Sequence, residues 1–492
     1  MKRFLSLLLL TVMVLSCAAV FSSCKKKGGD DDGFAARLFD ESGLLCVRRD
    51  GKYGFINKKG IEVIPCEYSS ADRFRNGASV VVKEKGGASS FIGTDGEPLF
   101  ERTFSSAYPF DAYDRAVVHT TEDGPAELIN KAGETVFSAP EIESTGAGLY
   151  LYESADGKMG AVDSNGETVL APTYESLETC YRIELNEFGY DRYVPINDRL
   201  FAESGDGAGN PVRTLIDRDG NVIYTGGQPL LSSYFYNGRT YVLKDDGFEV
   251  IDLDGNVIFS RTGRVEQITA SYLVVDVLEG SRETVNKHGQ CVLYDWNGEV
   301  VYDFRTSGYT PASFFGAKDF VVRDPETDQY GLINLKGETV VPCTYDAVVP
   351  SDGNGNCVCR KGDACYVIDG EGKTVFQKTC DYLSTSDYFS GEYYLACYKT
   401  ENGPETYELL SPKGKTVKSF GSEYRFGSFL TMSGETEWFL FDFYCVYYAD
   451  GYLVARDAET GTFVIMQKKS KKKFKVISSE PYDYFDIPTY FD

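Results

Sequence analysis

The chain has 492 residues and carries 74 acidic against 50 basic side chains, a formal net charge of −24 at pH 7. A chain this long can build a large core or a long tandem array, and so acidic a surface argues against binding nucleic acid or anionic lipid through overall charge. The sequence holds only two histidines and no GxSxG, HExxH or P-loop motif, so catalysis by an activated nucleophile or a bound metal has no support in it.

The first residues indicate an exported bacterial lipoprotein. Two basic residues precede an apolar run over residues 4–21, and a small-residue pair then leads to Cys24 and three lysines. This order resembles a lipoprotein cleavage site, because charged residues are expected only beyond the cleavage point. We therefore predict a signal peptide over residues 1–23 and lipidation of Cys24. Cys17 is the competing position, and the other interpretation is a plain signal peptide or a membrane anchor, for which the run is marginal, since a span needs about 20 apolar residues.

Residues 24–35 are rich in Lys, Gly and Asp, and we predict that they form a flexible tether between the lipid and a repeat domain over residues 36–492. Removal of residues 1–23 takes away two positive charges and changes the net charge from −24 to −26. The predicted location is the bacterial cell envelope, at the outer membrane, and the acidic stretch after Cys24 resembles signals for export to the cell surface. The predicted partners are the lipid bilayer, through the acyl anchor, and an envelope protein or glycan, with no nucleic acid.

From residue 44 onward, one hairpin turn recurs ten times. Each copy has a first turn residue that is Asn or Asp in eight of ten cases, then two variable residues, a glycine, and an apolar residue three places further on. The ten glycines are Gly60, Gly96, Gly133, Gly166, Gly220, Gly255, Gly298, Gly337, Gly372 and Gly414. Asn and Asp favour the first position of a type I turn, and Gly takes the left-handed conformation that closes a three-residue hairpin with a bulge. The sequence therefore predicts tandem β-hairpins and almost no helix.

The repeating unit is longer than the hairpin. Four of the turn glycines are followed eight residues later by an aromatic residue, and another apolar strand comes after it: Tyr68, Phe104, Tyr174 and Tyr345. These aromatic residues are predicted to pack between units rather than to bind a ligand. Each unit then has three clear strands and room for a short fourth. We count ten clear units and one or two degenerate units at the C-terminus, and the pattern lapses over residues 181–210.

These units predict an all-β fold of tandem antiparallel units of about 40 residues each. A propeller-like array is favoured, because radial closure hides the edges of the sheets. Ten to twelve units exceed the usual range of about four to eight blades. The alternatives are therefore two smaller propellers, divided near residues 181–210 or later, and an open β-solenoid.

Two stretches resemble the bacterial WG repeat: YGFINKKGIEVIPCEY at residues 53–68 and YGLINLKGETVVPCTY at residues 330–345. A third stretch, residues 159–174, is similar but weaker. Tyr or Met stands in place of the signature Trp of the family in all three, and most other units also lack its Gly. The resemblance implies a repeat protein, and it supplies no catalytic residues.

Isolated polar residues give no active site. His119 and His288 lie in unrelated units, and no Ser or Cys nucleophile motif accompanies either. The segments that begin at Asp217 and Asp252 mimic the start of a calcium loop, but they lack its later ligands and lie on the repeated turn, where Asp and Gly are already explained. We therefore assign no catalytic residue, no metal site and no cofactor.

Eleven cysteines follow Cys24, without CxxC spacing. Cys66 and Cys343 occupy the same position of the repeat, six residues after the turn glycine, which suits a small packing residue better than a disulfide. Cys357 and Cys359 alternate onto one face of a strand with no histidine near them. Burial within a strand is therefore favoured over a metal site or a bridge.

Aromatic residues outside the repeat are the remaining candidates for ligand contacts, because Tyr is rigid and amphipathic and stacks on sugars or anchors protein partners. Tyr190, Tyr193, Tyr234 and Tyr236 form such a group. The favoured function is a non-enzymatic envelope scaffold that binds a protein or a glycan. The alternatives are a propeller-fold hydrolase acting on glycans, which would need paired carboxylates about 5–9 Å apart, and a purely structural envelope component.

Overall fold

The computed structural model describes residues 38–485, apart from these internal gaps: 186–190, 206–210, 227–232, 245–246, 277–290, 314–317, 385–390, 400–402, 427–446, 450, 471–472, 479, 481 and 483. The predicted signal peptide (1–23) and tether (24–35), with Cys17 and Cys24, lie outside the described residues. Among the described elements only α1 (Phe304–Ser307) is helical. No helix in this part of the chain is long and apolar enough to cross a membrane.

The strands assemble into eleven units, numbered 1 to 11 in chain order, in which neighbouring strands pair antiparallel. Units 1 to 4 contain β1 (Leu44–Arg49), β2 (Lys52–Asn57) and β3 (Glu62–Tyr68); β4 (Ser70–Ala71), β5 (Ala78–Val82) and β6 (Ser89–Gly93); β7 (Ser106–Ala107), β8 (Ala116–His119), β9 (Ala126–Ile129) and β10 (Thr135–Ala139); and β11 (Glu141–Ser144), β12 (Leu149–Glu153), β13 (Met159–Asp163) and β14 (Thr168–Tyr174). Units 5 to 8 contain β15 (Ser176–Leu185), β16 (Asp191–Gly205), β17 (Pro211–Asp217) and β18 (Val222–Gly226); β19 (Tyr234–Tyr236), β20 (Arg239–Lys244), β21 (Gly247–Asp252) and β22 (Val257–Thr262); β23 (Arg264–Ile268), β24 (Tyr272–Asp276), β25 (Cys291–Asp295) and β26 (Val300–Asp303); and β27 (Thr310–Ser313), β28 (Asp319–Arg323), β29 (Tyr330–Asn334) and β30 (Thr339–Tyr345). Units 9 to 11 contain β31 (Ala347–Val349), β32 (Cys357–Lys361), β33 (Ala364–Ile368) and β34 (Thr374–Thr379); β35 (Tyr382–Leu383), β36 (Tyr394–Tyr398), β37 (Thr406–Leu410) and β38 (Thr416–Phe420); and β39 (Tyr424–Arg425), β40 (Tyr447–Ala449), β41 (Tyr452–Asp457), β42 (Phe463–Ser470) and β43 (Lys473–Val476).

The sequence left open a short fourth strand in each unit, and this is the first strand of the unit in the structure. It has two residues in units 2, 3, 10 and 11, and ten in unit 5. Unit 1 lacks its own first strand and receives β44 (Tyr484–Phe485) from the C-terminus. Units 5 and 6 share one eight-stranded sheet. The all-β prediction is confirmed, and the ten clear units are joined by one more, unit 11, which lacks the turn glycine.

The hydrophobic core of the described residues is divided into clusters that each lie between two consecutive units. Between units 1 and 2, for example, Phe55 packs with Phe74 and Ile92. Phe201 and Phe235 belong to the cluster between units 5 and 6, so the array continues through residues 181–210 without division. Ten such clusters connect units 1 to 11 in order.

An eleventh cluster closes the array, because it joins unit 11 to unit 1. Val47 of unit 1 packs there with Val454 and Ile465 of unit 11. An open stack of eleven units would have ten interfaces, whereas a ring has eleven. The propeller-like arrangement is therefore confirmed as one closed ring, and the open solenoid and the two smaller propellers are not what the described residues form.

We call the contact between unit 11 and unit 1 the seam. Here Val47 and Arg48 of β1 pair antiparallel with Phe485 and Tyr484 of β44. The rings of Phe39 and Tyr452 approach with centroids 4.9 Å apart. Residues from the two ends of the chain therefore complete the sheet of unit 1 and its core together.

The repeated turn has the geometry that the sequence predicts. In unit 1 the side-chain oxygen of Asn57 accepts hydrogen bonds from the backbone N–H groups of Lys59 (2.9 Å) and Ile61 (3.2 Å). The Gly60 N–H donates to the carbonyl of Asn57 at 2.8 Å. All ten turn glycines have φ between 74° and 87°, the left-handed region that favours glycine.

Turn glycines also contact the preceding unit. The contacted residue lies three or four places after the turn glycine of that preceding unit. A Cβ would meet a backbone carbonyl oxygen at three of them: Gly166 at 2.5 Å from Val136, Gly255 at 2.7 Å from Ile223 and Gly372 at 2.6 Å from Val340. At three others it would meet an aromatic ring: Gly133 at 2.8 Å from Phe100, Gly298 at 2.7 Å from Phe259 and Gly414 at 2.5 Å from Phe376. The spacing of glycine and apolar residue in the motif therefore reflects contact between neighbouring units as well as turn chemistry.

Candidate ligand-binding surface

The longest described strands lie in unit 5, where the repeat pattern lapses. β15 has 10 residues and β16 has 15, and they pair antiparallel from Ser176 to Leu185. At its middle, β15 also pairs in parallel with β19, the first strand of unit 6, and Tyr181 lies opposite Tyr234. β15 and β16 therefore form a lengthened antiparallel pair, and β15 ties units 5 and 6 into one sheet.

Three tyrosine rings meet at this junction. The centroids of Tyr181 and Tyr234 are 5.8 Å apart, and that of Tyr193 is 5.4 Å from Tyr234 in an edge-on arrangement. The register places them on one face, because Tyr193 lies opposite Ile183, two residues from Tyr181. All three side chains are half-buried at the margin of the core cluster between units 6 and 7. We call Tyr181, Tyr193 and Tyr234 the tyrosine patch.

Charged groups from two units accompany the tyrosine patch. Glu178 of unit 5 forms an ion pair with Arg213, and the Glu143 side chain of unit 4 is open to solvent on one side and covered by protein atoms on the other. Burial by surrounding atoms raises the pKa of the Glu143 carboxyl, and the nearby Glu178 raises it further. Burial also raises the pKa of Tyr181, and the nearby Glu143 carboxyl raises it further. Its phenol therefore stays protonated at neutral pH and is able to donate a hydrogen bond, while ionised carboxylates only accept.

The structure separates the four tyrosines named from the sequence. Tyr193 and Tyr234 come together in the patch, whereas Tyr190 lies outside the described residues. Tyr236 has a structural position instead: it is 4% exposed and stacks on Trp296 with centroids 5.1 Å apart and planes 9° apart. A ring enclosed in this way offers no face to a ligand, so its assignment to a binding group was wrong.

Sequence reasoning missed Tyr181, Glu143, Glu178 and Arg213. The alternation of Tyr181 with the buried Ile183 was a readable signal for one face of a strand. The other neighbours come together only through the parallel pairing of β15 with β19 and the packing of unit 4 on unit 5. No local pattern in the sequence specifies those contacts.

The isolated polar candidates keep the structural roles that the sequence favours. His119 lies in β8, and its Nδ1 is 3.3 Å from the carbonyl of Gly124 in the adjoining turn. His288 lies outside the described residues. The Asp252 Oδ1 atom accepts hydrogen bonds from the N–H groups of Asp254 (3.0 Å) and Asn256 (2.8 Å), and Asp217 does the same in unit 5. Within the described ranges, no group of three or more His, Cys, Asp or Glu side chains is arranged to hold a metal ion.

The ten described cysteines beyond the N-terminal segment are free thiols, and Cys445 lies outside the described residues. Cys66 and Cys343 are half-buried, and burial raises the pKa of each to about 11. Cys357 and Cys359 are buried on one face, with Sγ atoms 3.7 Å apart. Thiols enclosed in this way pack as small apolar side chains.

Residues 53–86 and 330–359 match the family model described as the WG containing repeat. The chain therefore carries WG repeats at these two stretches. Each matched stretch runs from the third strand of one unit into the region of the second strand of the next: from β2 past β5, and from β29 into β32. A WG repeat therefore spans an interface between units, and an array built from such repeats needs a strand from its C-terminus to complete unit 1.

The glycine of the WG pair has a steric reason in this WG-repeat protein. A Cβ on Gly54 would lie 2.6 Å from the carbonyl oxygen of Ile64, and one on Gly331 would lie 2.6 Å from that of Val341. The strand register shifts at both places. The bulged fourth strand crosses so closely that a side chain larger than hydrogen does not fit.

Among curated proteins, none matches the sequence of this WG-repeat protein. Similar solved structures include a eukaryotic initiation factor, 8% identical, covering 90% of this chain and 96% of that chain with a TM-score of 0.38. The WD40 β-propeller domain of Doa1 is 13% identical, with coverage of 52% and 93% and a TM-score of 0.22. Hsv2p of Kluyveromyces lactis is 8% identical, with coverage of 63% and 99% and a TM-score of 0.27. The ring architecture of the WG-repeat protein rests on its own strand order and core clusters.

Proposed function

We propose that this WG-repeat protein is a non-enzymatic lipoprotein of the bacterial cell envelope whose ring acts as a scaffold and binds a glycan or protein ligand at the tyrosine patch. The observation that supports the proposal is the meeting of three half-buried aromatic rings with Glu143, Glu178 and Arg213 at the point where the repeat breaks. Regular units use their aromatic residues to pack against neighbours, as Tyr68 and Phe104 do. The three rings of the patch are only half-buried, as are the repeat aromatics Tyr174 and Tyr345, but the patch rings lie together where the repeat pattern lapses.

The chemistry of the tyrosine patch favours a glycan. Flat aromatic rings offer apolar faces to the C–H groups of a sugar, and phenol, carboxylate and guanidinium groups hydrogen-bond hydroxyls. The net charge of −24 disfavours a polyanionic ligand, because like charges repel at long range. A neutral or basic glycan therefore suits the patch best, and a protein ligand would use the same tyrosines as anchors.

Binding is tested with residues 34–492, which contain all eleven core clusters. Glycan arrays and pull-downs from envelope extracts should give a saturable ligand. Tyr193→Ala and Tyr234→Ala should each weaken it by about tenfold or more, as expected for central aromatic anchors. Tyr108→Ala is the matched control, because Tyr108 is 65% exposed on unit 3. The absence of a saturable ligand, or an equal loss in the control, would count against the proposal.

The carboxylates of the patch also favour a second candidate, a hydrolase acting on glycans. Two neighbouring carboxyl groups in different environments form the usual acid and base of such enzymes. Glu143 has a raised pKa, and Glu178 is ion-paired with Arg213. Turnover of a bound glycan by the native protein, abolished in Glu143→Gln with binding retained, would establish the hydrolase and refute the non-enzymatic proposal.

The lipid anchor has a separate test. Cys24→Ala in the full chain should abolish metabolic labelling with a radioactive or clickable fatty acid, whereas Cys17→Ala should retain it. Labelling that survives in Cys24→Ala and disappears in Cys17→Ala would move the anchor to Cys17. If both variants keep the label, neither cysteine by itself is the lipidated residue, and the proposed anchor is refuted.

A further inference from the structure

Five exposed lysines lie at the seam, on the turn of unit 1 and the last hairpin of unit 11: Lys58, Lys59, Lys469, Lys473 and Lys475. We call them the lysine patch. In the described part of the chain, no carboxylate lies within ion-pairing distance of these five amines. A concentration of uncompensated positive charge is unexpected on a protein with 74 acidic and 50 basic residues, so it calls for a partner of negative charge.

The strand register puts the lysines of unit 11 on the side that faces unit 1. Lys475 lies opposite Gln467, and the two share a face because cross-strand partners do. Gln467 donates to the Tyr452 hydroxyl at 3.2 Å, and that hydroxyl donates to the carbonyl of Lys58 at 3.3 Å. Lys473 is two residues from Lys475 and therefore lies on the same face. The lysines of both units thus border one continuous surface.

The carboxylates nearest to this surface are mostly engaged elsewhere. Glu62 and Glu480 both pair with Arg49, at 2.8 and 3.8 Å. Glu41 lines an open cleft of about 390 Å³ together with Lys58 and Lys59. The surface therefore keeps a local excess of positive charge, and the cleft leaves room for an anionic group beside two of the amines.

The N-terminal end of the described chain enters the ring at the same place. Leu38 and Phe39 belong to the core cluster of the seam. Only residues 25–37 separate Leu38 from Cys24. If these 13 residues form the tether that their composition predicts, its root-mean-square reach is about 20 Å. A bilayer anchored at Cys24 would therefore be held within about that distance of the lysine patch, which raises its effective concentration there.

We propose that the lysine patch binds the phosphate groups of anionic phospholipid headgroups, so that the ring docks on its own membrane with the seam toward the lipid. The position of the membrane in this arrangement rests on the proposed lipid anchor, whereas the binding of headgroups depends on the lysines alone. The tyrosine patch, at units 5 and 6, is half-way round the eleven-unit ring from the seam. Docking at the seam therefore leaves the tyrosine patch on the far side of the ring from the docked lysines.

The test uses residues 34–492, which lack Cys24 and the three lysines after it but contain the whole ring. This protein should co-sediment with vesicles containing phosphatidylglycerol and not with vesicles of phosphatidylcholine. One lysine near an anionic surface contributes about fivefold in affinity, so Lys469→Glu/Lys473→Glu/Lys475→Glu should weaken binding far more than tenfold. Raising the salt from about 0.1 M to about 1 M should release the protein, because the Debye length falls from about 10 Å to about 3 Å.

The matched control is Lys336→Glu/Lys373→Glu/Lys413→Glu, which changes the net charge equally through exposed lysines in the turns of units 8, 9 and 10. Equal loss in the two triple variants would show that overall charge decides binding and would overturn the proposal. So would the absence of vesicle binding, or a preference for a single-stranded oligonucleotide over the vesicles. Because this fragment carries no acyl chain, failure here is distinct from failure of the Cys24 labelling experiment.

Discussion

The packing of turn glycines between units makes one prediction that a pair of alanine substitutions tests within unit 9. Gly372 and Gly355 have nearly equal φ values, 79° and 77°. A Cβ at Gly372 would lie 2.6 Å from the carbonyl oxygen of Val340 in unit 8, whereas one at Gly355 would meet nothing within 4 Å. The two substitutions therefore share the cost of a left-handed alanine and differ in contact with the neighbouring unit.

The magnitudes follow from these distances. A left-handed conformation costs an L-residue about 1–2 kcal/mol, so Gly355→Ala should lower the free energy of unfolding by about that amount. Real Cβ atoms essentially never approach within 3.0 Å, so Gly372→Ala must push units 8 and 9 apart by at least 0.4 Å, the difference between 3.0 and 2.6 Å. Overpacking of this kind adds about 1–3 kcal/mol. Gly372→Ala should therefore cost about 2–5 kcal/mol in total.

The assay is urea denaturation of residues 34–492, followed by far-ultraviolet circular dichroism and by tryptophan fluorescence, to which Trp296 in the core between units 6 and 7 contributes. Gly372→Ala should shift the midpoint to clearly lower urea than Gly355→Ala. Equal midpoints in the two variants would refute the reasoning, because the turn conformation alone would then explain the glycine. A larger loss in Gly355→Ala would refute it as well.

Three further predictions concern the WG glycine, the seam and pH. Gly331→Ala should lower the free energy of unfolding by about 1–3 kcal/mol through overpacking. Gly205→Ala, in a strand where a Cβ would meet open space, should change that free energy little. Equal denaturation midpoints in the two variants would contradict the steric reason for the glycine of the WG pair. Removal of residues 477–492 deletes β44 together with Ile477 and Tyr482 of the seam core, and it should lower the midpoint and enlarge the hydrodynamic radius by opening the ring. An unchanged radius would show that this C-terminal segment does not close the seam. Burial raises the pKa of Cys66 to about 11 from an unfolded value of about 8.5, so the folded state holds this proton more tightly, and the resulting stabilisation should be lost as pH rises from about 8.5 to 11. The thermal midpoint of Cys66→Ala should therefore fall less over that range than the midpoint of the native protein. An identical fall in the two proteins would contradict the assignment.

The amino-acid sequence by itself determined the repeated turn and the fold class, because both depend on groups within a few residues of one another. Asn57 binds N–H groups two and four places on, and Gly60 sets its own φ. The strands on either side alternate apolar and polar residues with a period of two. Such local chemistry repeats ten times, so the all-β array was readable without any tertiary contact.

Only the tertiary structure decided the number of units, the closure of the ring and the place of the candidate sites. Val47 pairs with Phe485, and nothing local to either residue specifies a partner at the other end of the chain. Unit 11 has no turn glycine, and its place in the ring is fixed by core contacts with units 10 and 1. The tyrosine patch likewise depends on the parallel pairing of Tyr181 with Tyr234. These features arise from packing between distant segments, whose energies depend on three-dimensional complementarity rather than on spacing along the chain.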